Sequence, residues 1–318
     1  MITRQILRPL ATASTRQWVC PSCSTGIVSS LRNASTTFPP ATERRAIYNR
    51  PLLNYDEQFW TEGVSGLFSK NGYKLGWIEY QDLLMLRLNE LTADKSYAGK
   101  DIKELVLRSA HQPQQASLFN HASMAHNNHF FWQQFSPHPR RLDQFPALYS
   151  SLVDAFGSIE SLRKTLVDTA SAMFGPGFVW LVWARDPDNV SGVRDGGWKI
   201  LSTYSGGTPY PEAGFMQQSL EMNTSDDAAF ARYKQSNVGY FGPSSRIGQE
   251  KARIPPGGTT VMPVLCVSTW EHTYIYDYGL KGKLKYLDSF WDTLDWQVVS
   301  NRAPQDVNGK LGGRGIRA

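Results

Sequence analysis

The stretch from Val261 to Val299 constrains the fold more than any other part of the chain. It opens on an apolar, β-branched run, Val261 to Val267, with the pattern of a buried strand. It passes through Trp270-Glu271-His272-Thr273-Tyr274 and ends on a helical pattern. There Leu284, Leu287, Phe290, Trp291 and Leu294 recur at i, i+3, i+4 spacing, which draws one apolar face.

A buried strand needs partners, and two aromatic-rich runs supply them. Phe178 to Ala184 and Trp198 to Tyr204 also read as strands, so a small antiparallel sheet is expected. Ser158 opens a helix with a capping-box look, and the helix runs through Phe174 until Gly175-Pro176-Gly177 stops it. The order helix, two strands, insertion, strand, helix gives an α+β domain over residues 141–300.

Residues 47–140 read as all-helical. Phe59, Trp60, Val64, Leu67 and Phe68 are spaced for one buried helix face, with Asn54 or Asp56 as its cap. A longer helix is expected from Trp77 to Leu91, with Leu84, Leu88 and Leu91 on one stripe. Ile102 to Ala110 is a short helix around Leu105 and Val106. Gln114 to Phe135 is a long one, crowded with His, Asn and aromatics. A helical hairpin is the core of this half. Pro137, Pro139 and Pro146 mark the link between the halves.

The ends differ in composition from the body. The chain has 318 residues, with 33 basic and 28 acidic. Residues 1–46 hold six arginines and one acid, Glu43; the remainder is balanced at 27 of each sign. A leader rich in Arg, Ser, Thr and Ala is expected to be a mitochondrial presequence. Residues 301–318 form a Gly-rich tail with Arg302, Lys310, Arg314 and Arg317 against Asp306. These four side chains are candidates for RNA phosphate, and a simply solvated tail is the other reading. The near-neutral body suits contacts to proteins. No apolar run of eighteen residues or more implies a membrane span.

Three cysteines, Cys20, Cys23 and Cys266, make no disulfide framework. Cys20-Pro21-Ser22-Cys23 has metal-knuckle spacing but lacks a second pair, so no zinc site is read from it. Residues 205–258 are too long for an ordinary connection and form an insertion.

The stretch Ser268-Thr269-Trp270-Glu271-His272-Thr273-Tyr274-Ile275 resembles the D-x-W-E-H-A-Y-Y signature of the iron/manganese superoxide dismutases. Asn127-Asn128-His129-Phe130-Phe131-Trp132 resembles their N-H-x-x-F-W. The run from Phe156-Gly157-Ser158 through Phe178-Val179-Trp180-Leu181 resembles their A-F-G-S-x-E…F-G-S-G-W-A-W-L. The resemblance implies the superoxide dismutase-like fold: an α-helical hairpin domain followed by an α/β domain with a small antiparallel sheet.

The same resemblance implies where metal would have been held. Its three His and one Asp fall on Gly76, Asn128, Ser268 and His272, and its active-site Tyr falls on Leu84. Only His272 keeps its ligand type. The family's solvent-bonding Gln falls on Met124 or Gly206. His126 and His129 lie two before and one after Asn128, off the ligand direction at about 100° per residue. No metal or other cofactor is expected. Glu271, His272 and Tyr274 occupy positions of the family's dimer face, with Ile275 and Tyr80 altered there. Such an altered pair suits a non-identical partner; Glu271 as a buried, satisfied carboxylate is the competing reading.

The combination resembles the superoxide dismutase-like proteins of the fungal mitochondrial ribosome's small subunit. That resemblance implies a non-catalytic structural subunit in the mitochondrial matrix, paired with a paralogous subunit. It also implies small-subunit proteins as neighbours, and the basic residues of the tail are the candidate rRNA contact. An active dismutase with altered ligands and a matrix pseudoenzyme bound to another protein are the alternatives.

Overall fold

The computed structural model describes residues 48–93, 97–110, 112–185, 196–213, 260–304 and 307. The expected presequence, the Cys20 and Cys23 pair, most of the 205–258 insertion, and Lys310, Arg314 and Arg317 lie outside the described residues.

Helix α1 (Asp56–Glu62) is shorter than the apolar spacing suggests. It ends at Gly63, whose φ of 80° lies in the left-handed region. A Cβ there would sit 2.3 Å from the Phe68 carbonyl oxygen, so the chain turns tightly through Val64 to Phe68. The turn explains why Trp60, expected in the core, is 45% exposed. Tyr55, rather than Asn54 or Asp56, holds the N-cap position and makes no side-chain cap bond.

A continuous helical rod follows. It consists of α2 (Lys70–Tyr73), a π-helical segment over Lys74–Glu79, and α3 (Tyr80–Thr92). Of the expected stripe, Leu84 and Leu88 are buried and Leu91 is half-buried. α4 (Ile102–Ser109) buries Leu105 and Val106. α5 (Ala116–Trp132) packs against both α3 and α4, which gives the expected helical hairpin. Phe131, Trp132 and Phe135 meet Phe68 and Phe290 ring against ring, joining the hairpin to the second half.

The second half starts with α6 (Pro146–Phe156) and α7 (Ile159–Ala172). Ser158 caps α7, its hydroxyl accepting the Ser161 N–H at 3.0 Å. Strands β1 (Gly177–Arg185), β2 (Gly197–Tyr204) and β3 (Thr260–Ser268) form one antiparallel sheet in the order β2-β1-β3. Register shifts between β1 and β3 at Leu181/Val182: Leu181 faces Leu265 and Val182 faces Pro263, which leaves Val264 as a bulge. Pro263 donates no ladder bond and sits on an edge strand, where this is tolerated. Gln134 grips the same strand from α5's trailing end. Its Nε2 donates to the Cys266 carbonyl at 2.6 Å, and its Oε1 accepts the Cys266 N–H at 2.8 Å.

Helices α8 (Glu271–Tyr278), α9 (Lys283–Asp292) and α10 (Trp296–Arg302) complete the body. Two expectations change here. Leu284 is 57% exposed, and Tyr286 takes the inward place, fully buried. Arg302 belongs to the last turn of α10 rather than to a tail. The fold class is the expected α+β arrangement.

Candidate functional site

The four positions that correspond to metal ligands sit on four different elements. Gly76 lies in the π-helical segment, Asn128 on α5, Ser268 at the end of β3, and His272 in the first turn of α8. The first three converge. The Gly76 carbonyl accepts the Asn128 Nδ2–H at 3.4 Å and the Trp132 Nε1–H at 3.2 Å. A Cβ on residue 76 would meet Trp132 Cζ2 at 2.9 Å and Thr273 Cα at 3.6 Å. Thr273 in turn shares a hydrogen bond with Ser268, Oγ to Oγ1 at 3.0 Å.

The residue that completes this cluster is Gln81, which no sequence motif singles out. It is fully buried. Its Oε1 accepts from Asn128 Nδ2 at 2.9 Å, and its Nε2 donates to the Ala125 carbonyl at 3.1 Å. Asn128 Oδ1 accepts the Trp132 indole N–H at 3.2 Å. Ser268 Oγ accepts the Trp270 backbone N–H at 3.3 Å, and the Ser268 carbonyl accepts the Tyr286 hydroxyl at 3.0 Å. Asn128, Ser268 and Thr273 are each about 1% exposed. The centre is therefore a neutral network whose amides and hydroxyls satisfy one another, as burial requires.

His272 makes its ring contacts elsewhere. It lies against Tyr80 with centroids 3.9 Å apart, and 5.5 Å from Trp270. Burial lowers its pKa to about 4. Burial also raises the Tyr80 hydroxyl to about 12. Met124 and Leu84 are buried apolar side chains, and Gly206 approaches Asn120.

Manganese or iron in such a site takes imidazole and carboxylate donors with ordered outer partners. The residues present do not fit that need. Gly76 has no donor, the Asn128 NH2 already points its hydrogens at oxygens, and the Ser268 hydroxyl is paired with Thr273. Among the described residues, no group of three His, Cys, Asp or Glu side chains is placed to hold a metal ion.

The other histidines of α5 are committed to packing. His126 Nε2 bonds the Tyr210 hydroxyl at 2.9 Å, and His121 Nδ1 bonds the Ser117 carbonyl at 2.7 Å. His129 stacks on Trp77 at 5.7 Å, and its Nε2 is buried without a partner. Burial holds both His126 and His129 at about 4, with neighbouring positive charge adding to it.

The dimer-face positions divide. Glu271 is exposed, which removes the reading of it as a buried carboxylate. Tyr274 is corrected to a packing residue: it is 5% exposed and stacks on Tyr286 at 5.1 Å. Arg302 is corrected likewise from a free tail cation to a half-buried one. Its guanidinium lies 3.6 Å over the Phe130 ring, and Nη2 donates to the Phe130 carbonyl at 3.2 Å and to Gln133 Oε1 at 3.0 Å.

Residues 144–241 and 245–302 match the family model for the iron/manganese superoxide dismutases, C-terminal domain. The chain is superoxide dismutase-like. Among curated relatives, this superoxide dismutase-like chain is similar to small ribosomal subunit protein mS43 of Schizosaccharomyces pombe. The two are 26% identical over 74% of this chain and 79% of that one. It is similar to mS42 of the same organism at 29% identity, over 63% of this chain and 72% of that one. An iron superoxide dismutase of Salmonella typhimurium is 23% identical over 70% of this chain and 82% of the enzyme.

Proposed function

We propose that this superoxide dismutase-like chain is a structural component of the mitochondrial small ribosomal subunit and works in the mitochondrial matrix. It serves translation as a scaffold and carries out no catalysis. The observation that carries the reading is the Gln81–Asn128–Trp132–Gly76 network, which occupies the ligand positions with neutral groups bonded to one another. A body of this kind keeps its packing without redox chemistry. Similarity to mS43 and mS42 supports the ribosomal assignment.

The chain pairs with a paralogous superoxide dismutase-like subunit. Two such relatives occur in one organism, each similar to this chain. The exposed Glu271 beside the Tyr80–His272 stack is the contact face. A symmetric pair would set two copies of this altered face against each other, whereas a paralogue supplies different groups opposite. Residues 1–46 act as the targeting leader.

Affinity purification of the tagged chain from mitochondria, followed by mass spectrometry, tests this. A paralogous subunit and other small-subunit proteins are expected in near-equal amounts. Recovery of the chain as a lone homodimer would reject the pairing. The similarity to the iron enzyme favours a second reading, dismutation with relocated ligands. Stoichiometric manganese or iron together with superoxide turnover in the purified chain would establish it.

A further inference from the structure

A pocket of about 290 Å³ opens between the segment preceding α1 and the helices α5 and α10. Arg302, Gln133, Asn301 and Asn54 line it, with Leu52 and Tyr55 among its walls. Leu52 is 81% exposed and Tyr55 42%. Among the described residues, no carboxylate lines this pocket. Arg302 has no carboxylate within ion-pair distance among the described residues.

A guanidinium withdrawn from water is normally paired with an anion. Arg302 has only neutral acceptors: the carbonyls of Phe130 and Val264, at 3.2 and 3.5 Å, and Gln133 Oε1 at 3.0 Å. These take three of its five N–H donors and leave the Nε–H and one Nη1–H. A positive group with spare donors, side-chain amides and an exposed aromatic ring is the set that single-stranded nucleic acid uses. Phosphate meets Arg, base edges meet amides, and a base face stacks on Tyr.

We propose that this pocket receives one nucleotide of single-stranded RNA, its phosphate on Arg302 and its base against Tyr55. The proposal rests on the ribosomal reading for the source of the RNA. It makes the pocket beside α10 the place where Arg302 meets phosphate. An acidic protein segment would use the same cation but has no use for the ring and the amides.

The test is fluorescence anisotropy of the full chain with a short, labelled, single-stranded RNA of mixed sequence. Tyr55→Ala is expected to weaken binding about tenfold, from the usual strength of one base–aromatic stack. Asn301→Asp, which sets a negative charge beside the phosphate, is expected to weaken it to a similar degree. Both residues are exposed, so unchanged thermal melting shows that neither variant has lost its fold. Arg302→Gln is expected to weaken the binding more than either change and to flatten its salt dependence.

Wild-type RNA affinity in both Tyr55→Ala and Asn301→Asp would overturn the proposal. So would RNA binding untouched by all three changes while a labelled polyglutamate peptide loses affinity with each. Small-subunit co-sedimentation separates the two readings. If the wild-type chain co-sediments and the variants bind RNA normally, only the pocket fails. If RNA binding follows Tyr55 and Arg302 while the chain never co-sediments, only the ribosomal reading fails.

Discussion

Asn128 donates its amide hydrogen to the Gln81 side-chain oxygen at 2.9 Å, across 47 residues of sequence. This bond stands where a dismutase of the resembled family would place an imidazole on its metal. It ties α5 to α3 at the point where the rod changes from π- to α-helical turns. Gln81→Leu would leave the buried Asn128 amide one acceptor short. A loss of about 1–3 kcal/mol is expected, the usual cost of an orphaned buried donor. The midpoint of chemical denaturation measures it.

Putting the ligands back should fail. In the triple variant Gly76→His, Asn128→His, Ser268→Asp, the new Cβ at residue 76 meets Trp132 at 2.9 Å. Overpacking of this kind typically costs about 1–3 kcal/mol. The Gln81 and Thr273 partners are also arranged for an amide and a hydroxyl. Elemental analysis of the purified variant should find well under one manganese or iron per chain. Stoichiometric metal would show that the cavity kept more of its old shape than these contacts allow.

The clamp of Gln134 on Cys266 makes a separate prediction. Gln134→Leu orphans a buried N–H and a buried carbonyl on β3 at once. About 1–3 kcal/mol is expected for each group, so stability should fall more than for Gln81→Leu. Comparing the two denaturation midpoints decides it.

Acid should loosen the fold through α5. His126 and His129 sit at about 4 in the folded chain, below the ordinary 6.5. As pH falls the unfolded chain therefore takes up protons first, and stability drops. Their contribution is complete above about pH 6.5 and declines as pH falls toward about 4. His129→Phe keeps a ring against Trp77 and removes a buried, unpartnered nitrogen. The variant should lose less stability between pH 7 and pH 4.5 than the wild type. A parallel decline in both would assign the acid sensitivity elsewhere.

Much of this architecture is legible along the chain because its signals are local. The apolar runs of β1 and β3, the Ser158 cap and the Leu84–Leu88 stripe depend on neighbours within a few residues. The ligand-equivalent positions followed from the family resemblance. Gln81 did not, since a glutamine on a helix reads as a surface residue until Asn128 arrives from α5. Trp60 and Leu284 show the converse: their spacing suits a core, but Gly63 ends one helix and Tyr286 outcompetes the other. By sequence alone Arg302 groups with the Gly-rich stretch after it, because nothing nearby in sequence announces Phe130 as its platform. Each miss is a tertiary partner overriding a local pattern.

Sucrose-gradient sedimentation of the tagged chain from mitochondrial lysate after a high-salt wash bears on the whole reading. A structural subunit held by protein contacts should migrate wholly with the small ribosomal subunit. A light, ribosome-free peak would contradict that role and return the chain to the class of soluble matrix proteins.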